Sequence, residues 1–232
     1  MKLRSRRSVL FAVPMLAAAV SSLTTDAAEA EGPRPPATTL KKAGAGQLAV
    51  DEAGFIRRWL VLEPIGVSGR LTTSEVEKAV QQAPWPAAES AMPRDGDTTT
   101  PAGQPLRWHA LDTLKYNLNL YHFAWPLSKP TSNVLFWTTT VIVAPQEMRD
   151  VRLAIGSNAA SVWWLNGERV IALYNDRQAV IDDGVSPRVT LRKGPNIIRA
   201  AIVNGGGATD FCARFLDAQD RPIRTLAATL AP

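Results

Sequence analysis

The chain has 232 residues, of which 46% are hydrophobic, with seven tryptophans, one cysteine and a formal charge of +5. The first thirty residues carry Lys2, Arg4, Arg6 and Arg7 against Asp26 and Glu29, and without them 22 basic and 19 acidic residues remain, a net of +3. Nothing left forms the basic stripe of a nucleic-acid binder, and one cysteine excludes an intramolecular disulfide, so stability has to come from a packed core.

Residues 1–30 have the pattern of an export signal. Basic residues at Lys2–Arg7 precede an apolar run from Val9 to Val20, and Ala28-Glu29-Ala30 supplies the small residues of a cleavage site. Ser5-Arg6-Arg7-Ser8-Val9-Leu10 matches the twin-arginine export motif, which predicts a periplasmic or secreted protein. The apolar run is shorter than the roughly 20 residues of a membrane span, and no span is expected in the mature chain. Residues 31–50, with Gly32-Pro33-Arg34-Pro35-Pro36 and Gly44-Ala45-Gly46, read as a flexible lead-in. A single domain is expected over residues 51–228.

Phe55–Ile65 reads as a strand, and its Trp59–Leu62 portion is apolar at every position, as in a strand covered on both faces. Thr72–Gln82 is the one expected helix. Val76, Ala79 and Val80 form its apolar stripe, Ser74 and Glu77 have the spacing of a capping box, and Pro84 ends it. Residues 84–105, rich in Pro, Thr, Asp and Gly, read as a long surface loop. Lys115–Ala124 alternates and predicts a strand. Val134–Val143 and a series of shorter strands follow, to a total of nine to eleven.

The strongest turn signal is Asn166-Gly167, between Val162–Leu165 and Arg169–Leu173. Both residues tolerate the positive φ angles of a type I′ turn. Asp182-Asp183-Gly184, Lys193-Gly194 and Asn204–Gly207 are turn clusters at strand-length intervals. This spacing predicts an all-β, antiparallel sandwich of jelly-roll type with one short helix over residues 73–82.

Catalytic signatures are sparse. There is no Gly-x-Ser-x-Gly elbow, and His109 and His122 are the only histidines able to serve a Ser or Cys nucleophile as base. Cys212 alternates with Phe211 and Ala213 and reads as an inert buried thiol. No zinc-ligand spacing exists, and no cofactor is expected, with structural calcium at the Asp182-Asp183 turn left open. Aromatic and planar polar side chains near strand ends suit a sugar, whose C–H faces stack on rings and whose hydroxyls bond amides, carboxylates and guanidinium groups. The candidate ligand-binding residues are Trp108, His109, Asn158, Trp164, Tyr174, Asn175, Arg177, Asp183, Asn204 and Asp210. Each also has a structural reading: core packing for the tryptophans, turn geometry for the asparagines, and a salt bridge from Arg177 to Asp182 or Asp183. Trp163 and Trp164 must point to opposite faces of a regular strand, so one of them is core.

Gly156-Ser-Asn-Ala-Ala-Ser-Val-Trp-Trp-Leu-Asn-Gly-Glu-Arg-Val170 resembles the "lgSdd…vWlNGk.V" hallmark of galactose-binding-like jelly-roll domains. Trp59–Ile65, Leu191–Ile198 and Ala208–Asp217 resemble three further segments of that pattern in the same order, over about residues 54–224. Glu63 stands where the pattern has Gly, and Pro195 where it has Trp. The chain is also similar to proteobacterial proteins labelled acetylxylan esterases. The resemblance implies a non-catalytic carbohydrate-binding-like module acting on plant polysaccharide of xylan type. The alternatives are a small acetylxylan esterase and a structural partner of a separately encoded glycan hydrolase.

Overall fold

The computed structural model describes residues 38–87 and 92–231. In chain order the strands are β1 (Leu40–Lys42), β2 (Leu48–Ala49), β3 (Arg58–Leu62), β4 (Ile65–Gly66), β5 (Thr98–Thr99), β6 (Leu106–Thr113), β7 (Leu118–Asn119), β8 (Val134–Ala144), β9 (Met148–Ser157), β10 (Ala160–Leu165), β11 (Glu168–Leu173), β12 (Gly184–Val185), β13 (Val189–Leu191), β14 (Gly194–Asn204), β15 (Asp210–Leu216) and β16 (Ala227–Thr229). Among the described residues the α-helices are α1 (Thr73–Gln82) and α2 (Leu120–Ala124). The fold is all-β and antiparallel, as the turn spacing predicts.

One sheet runs in the order β1-β6-β3-β8-β14-β10-β11, with β16 and β4 also on β8. Its spine is the β8–β14 pair, in continuous register from Gly194 opposite Ala144 to Asn204 opposite Val134. The second sheet runs β12-β9-β15-β7, with β13 on β9. Period-two alternation sends Trp59, Phe136, Trp163 and Ile202 from the first sheet against Leu153, Ile155, Phe211 and Phe215 from the second. Trp59, Trp163 and Phe211 meet edge to face at the centre, with ring centroids 5.0–6.0 Å apart.

The opposite face of the large sheet is also buried. Leu60, Leu62, Leu135, Trp137, Val162 and Val203 pack there with Val76, Ala79 and Ala83 of the α1 region. Every residue of β3 is therefore buried, which is why Trp59–Leu62 carries no polar alternation.

Asn166 and Gly167 take φ angles of 52° and 91°. The Asn166 side chain ties the hairpin to β14: its amide donates to the Asn196 carbonyl at 3.0 Å and its carbonyl accepts from the Ile197 N–H at 2.9 Å. A Cβ at Gly167 would touch nothing within 4 Å. The expected cost of Gly167→Ala is therefore the left-handed backbone penalty alone, about 1–2 kcal/mol in urea unfolding.

Several expectations differ from the structure. Lys115–Ala124 is not one strand: β7 stops at Asn119, whose side-chain carbonyl accepts the His122 N–H at 2.9 Å and starts α2. Leu120, Phe123 and Ala124 are buried at helical spacing, a pattern that also satisfies alternation over a few residues. The α1 cap is Thr72, without a side-chain cap bond, and Glu77 bonds Arg169 of β11 rather than serving in a capping box with Ser74. Within the expected lead-in, β1 and β2 are paired to β6 and β16. The 84–105 stretch contains β5 and a 3-10 turn at Pro101–Gly103. The expected export signal lies outside the described residues. Among the described residues no helix is long and apolar enough to cross a membrane.

Candidate functional site

The outer face of the large sheet carries a groove of about 290 Å³ beside the C-terminal end of α1. Alternation along β10 turns Trp163 inward and Trp164 outward, so Trp164 forms one wall. Trp137 of β8 lies beneath, its ring 5.5 Å from that of Trp164. Trp137 donates its indole N–H to the Ala83 carbonyl at 2.9 Å, which fixes the end of α1 over the sheet. The chain then turns through Pro84 and presents Trp85, whose ring lies 5.4 Å from both Trp108 and Trp137. The Arg199 guanidinium of β14 sits 4.6 Å from the Trp85 ring centroid and completes the lining. The Trp85 indole N–H is buried and has no hydrogen-bond partner among the described residues. Two partly exposed indoles in one concavity offer C–H stacking faces beside a guanidinium.

A polar rim stands beside Trp164. Arg169, opposite Trp164 across the β10–β11 pair, donates to both Glu77 oxygens at 3.1 and 2.5 Å and to the Tyr174 hydroxyl at 2.6 Å. The Tyr174 hydroxyl donates in turn to Glu77. The Arg169 hydrogen bond, followed by that of Tyr174, holds the Glu77 carboxyl below its ordinary pKa. Tyr174 thus anchors α1 to β11, and its hydroxyl is engaged within the protein.

A second cluster forms where β7 meets β15. Asp210 accepts from Asn117 at 2.9 Å and from Asn158 at 3.4 Å, and its own N–H donates to the Asn158 carbonyl at 2.7 Å. The Arg177 N–H reaches the Asn158 backbone carbonyl at 3.3 Å, and the Arg177 side chain pairs with Asp183. Four predicted residues, Asn158, Arg177, Asp183 and Asp210, are thereby brought together. Asn117 and Asn119 belong to the same cluster and are missed by sequence reasoning, because they lie in a stretch that reads as plain alternation. Burial raises the Asp210 pKa, against the lowering influence of the Asn119 bond, the His122 charge and the Asn158 and Asn117 bonds. A carboxyl whose folded pKa lies above the unfolded value contributes most to stability below the unfolded value, and that contribution fades as pH rises through the folded one. Asp210→Asn is expected to gain on the native protein as pH rises from about 4, the ordinary aspartate value, which urea unfolding at pH 3–6 will show.

The remaining predicted residues are placed elsewhere. Trp108 is 1% exposed and packs under Trp85, so it is core and not a ligand contact, because α1 and the segment after it cover that face of β6. Asn204 is buried and structural: its amide donates to the Thr131 carbonyl at 2.7 Å and its carbonyl accepts the Gly206 N–H at 3.3 Å. Asn175 holds a left-handed turn at φ 67°, its N–H on the Leu71 carbonyl at 2.7 Å. His109 lies on the inner side of β6, 3.2 Å from Glu63, which also pairs with Lys129 at 2.9 Å. Burial raises the Glu63 carboxyl, but hydrogen bonds from Lys129 and His109 outweigh it and hold the pKa low. His122 meets the Thr39 hydroxyl at 3.4 Å. Neither histidine is within hydrogen-bond reach of a Ser hydroxyl or a Cys thiol among the described residues. Burial pushes the Cys212 thiol up to about 11, which leaves it unreactive at neutral pH. The turn left open for calcium directs its carboxylates to arginines, Asp182 to Arg214 and Asp183 to Arg177. Among the described residues no group of three or more His, Cys, Asp or Glu side chains is placed to hold a metal ion.

No protein-family model and no curated protein matches the chain. Three solved structures are similar to it in part. The PA14 domain of the MpAFP antifreeze protein is 11% identical over 82% of this chain and 95% of its own, with a TM-score of 0.41. A β-glucosidase from Kluyveromyces marxianus in complex with glucose is 15% identical over 68% of this chain and 16% of its own, with a TM-score of 0.37. A GH31 α-xylosidase from Xanthomonas citri is 9% identical over 82% of this chain and 18% of its own, with a TM-score of 0.34. The chain spans less than a fifth of either glycosidase. At these scores none of the likenesses carries an argument about the ligand of this chain.

Proposed function

We propose that the protein is a non-catalytic carbohydrate-binding module and that the Trp85–Trp164 groove is its ligand site. One observation carries the reading: two partly exposed indoles and the Arg199 guanidinium line a single concavity on the outer face of the large sheet. Rings of this kind stack on the apolar faces of sugars and exclude water from the hydrogen bonds beside them. Trp137, Trp164 and Arg199 of the lining sit on strands β8, β10 and β14, and Trp85 packs against the rings of Trp108 and Trp137, so these walls are placed before a ligand arrives, which lowers the entropic cost of binding.

The ligand we propose is plant polysaccharide of the xylan type, or a fragment of it, in a system that includes a separately encoded hydrolase. Affinity electrophoresis and calorimetry against xylan, pectin and galactan test this. Binding to xylan that Trp164→Ala removes is the expected result. Failure of the folded protein to bind any glycan overturns the reading, and acetate release from acetylated xylan would replace it with an esterase.

We further propose export by the twin-arginine route, on the strength of Arg6-Arg7 and the apolar run that follows. Replacing both arginines by lysine is expected to leave the protein in the cytoplasm, as fractionation and immunoblotting will report. Unchanged export of that variant would end the twin-arginine assignment.

A further inference from the structure

We infer that the site continues past Trp85 and takes a glycan of at least two sugar units, with a neutral unit on the far side of that indole. The inference rests on reading the Trp85–Trp164 groove as a glycan site and extends it. A second hollow of about 290 Å³ adjoins the first, and Pro84 and Trp85 wall both. Each hollow alone is at the lower limit of the roughly 300–1,000 Å³ of small-ligand sites, whereas the two joined fall inside that range.

The two hollows differ in chemistry. The first has the Arg199 guanidinium in its lining. The second is lined by Gln82, Thr99 and Thr100 with prolines around them, and among the described residues no charged side chain lines it. Hydroxyls and an amide against apolar ring edges suit a hydroxyl-bearing neutral unit. A charged unit there would give up hydration with no counter-charge to replace it.

The shared wall is fixed in place. Pro84 and Pro86 flank Trp85, and the rings of Trp108 and Trp137 each lie 5.4 Å from it. The Thr99 hydroxyl donates to the Pro86 carbonyl at 3.4 Å, which holds β5 against the Trp85 segment and keeps the second hollow open. A rigid ring between two concavities makes the units of a chain on its two sides adjacent, so the second unit adds binding without a second loss of translational freedom.

Calorimetry with three matched pairs of probes tests this: xylose and xylobiose, galactose and galactobiose, and glucose and cellobiose. For the pair that binds, the disaccharide is expected to bind at least tenfold more tightly than its monosaccharide. Thr100→Trp, a bulky substitution at an exposed position of the second hollow, is expected to collapse that ratio towards one, with an unchanged urea-unfolding midpoint showing that the fold survives. A native protein that binds mono- and disaccharide equally, or a Thr100→Trp variant that keeps the tenfold preference, overturns the inference and leaves the groove reading standing. If no sugar of either length binds, the groove reading itself has failed.

Discussion

Asp112→Asn is expected to lower the unfolding free energy by about 3–5 kcal/mol, the usual cost of leaving one member of a buried ion pair without its partner. Asp112 and Arg58 lie opposite each other on β6 and β3, with side chains 5% and 4% exposed. The pair is bidentate, Nε to Oδ1 at 2.7 Å and the second guanidinium nitrogen to Oδ2 at 2.8 Å. Asp112 also accepts the Gly44 N–H at 3.2 Å, and Arg58 donates to the Gly46 carbonyl at 2.7 Å. The pair therefore fastens the β1–β2 segment to the sheet as well as β3 to β6. An amide in place of the carboxylate would fill the space but leave the guanidinium buried without a counter-charge. Urea unfolding at pH 7 measures the loss. Replacing both residues by apolar ones, Arg58→Met with Asp112→Leu, is expected to recover much of it, since no buried charge then remains.

The same pair sets a pH dependence. Burial pushes the Asp112 carboxyl up, but the Arg58 hydrogen bond, the Gly44 N–H and the charges of Arg58 and Lys41 outweigh it, and the folded pKa lies below the ordinary value. A carboxyl depressed in the fold contributes fully above its unfolded pKa, about 3.9, and loses that contribution as pH falls through the folded value. The gap between native protein and Asp112→Asn is expected to be constant from pH 7 to about 5 and to narrow below about 4. A gap that persists unchanged into strong acid would show that Asp112 acts through shape rather than charge.

The parts of this fold that are legible in the sequence are those governed by neighbouring residues. Asn166-Gly167 announces its turn because only a few residue types accept positive φ there, and Trp59–Leu62 shows burial on both faces by lacking any polar position. The parts that are not legible depend on residues distant in sequence. Arg58 and Asp112 are separated by 54 positions, and each alone reads as a surface charge. Glu77 has the spacing of a capping residue, yet a bidentate bond to Arg169, 92 positions on, decides its role. The groove needs Trp85, which lies in a stretch that reads as loop, and Trp137, which lies in a strand where any tryptophan reads as core. Trp108 misleads for the converse reason: it borders a loop in sequence, but the segment carrying Trp85 folds back and buries it. Asn158 and Asp210 both stand out in the sequence, yet only the β7–β15 and β9–β15 registers bring them together.

Trp163→Ala and Trp164→Ala, one residue apart, are expected to have opposite consequences. Trp163 is fully buried at the junction of the two sheets, and truncation there is expected to cost about 3–5 kcal/mol through lost burial and a cavity the surrounding strands cannot close. Its indole N–H has no hydrogen-bond partner among the described residues, so Trp163→Phe sacrifices volume but no bond and is expected to restore most of the stability. Trp164 faces the other way, half-buried on the groove. Its truncation is expected to cost under about 1.5 kcal/mol of stability, as it removes only part of a side chain's burial. Glycan affinity, by contrast, is expected to fall at least tenfold, about 1.4 kcal/mol, in keeping with an aromatic anchor in a partly desolvated site. The division follows from period two: one of two adjacent residues on β10 must enter the core. The β10–β11 pairing confirms which one. Trp163 pairs with Ile171 and Trp164 with Arg169, and Val170 is left as the extra residue of a bulge. That extra residue sets Arg169 opposite Trp164, where it holds Glu77 and Tyr174 beside the groove. Urea unfolding and affinity electrophoresis on the three variants separate the two roles. Equal stability losses for both alanine variants, or glycan binding indifferent to Trp164, would show that neither face is specialised.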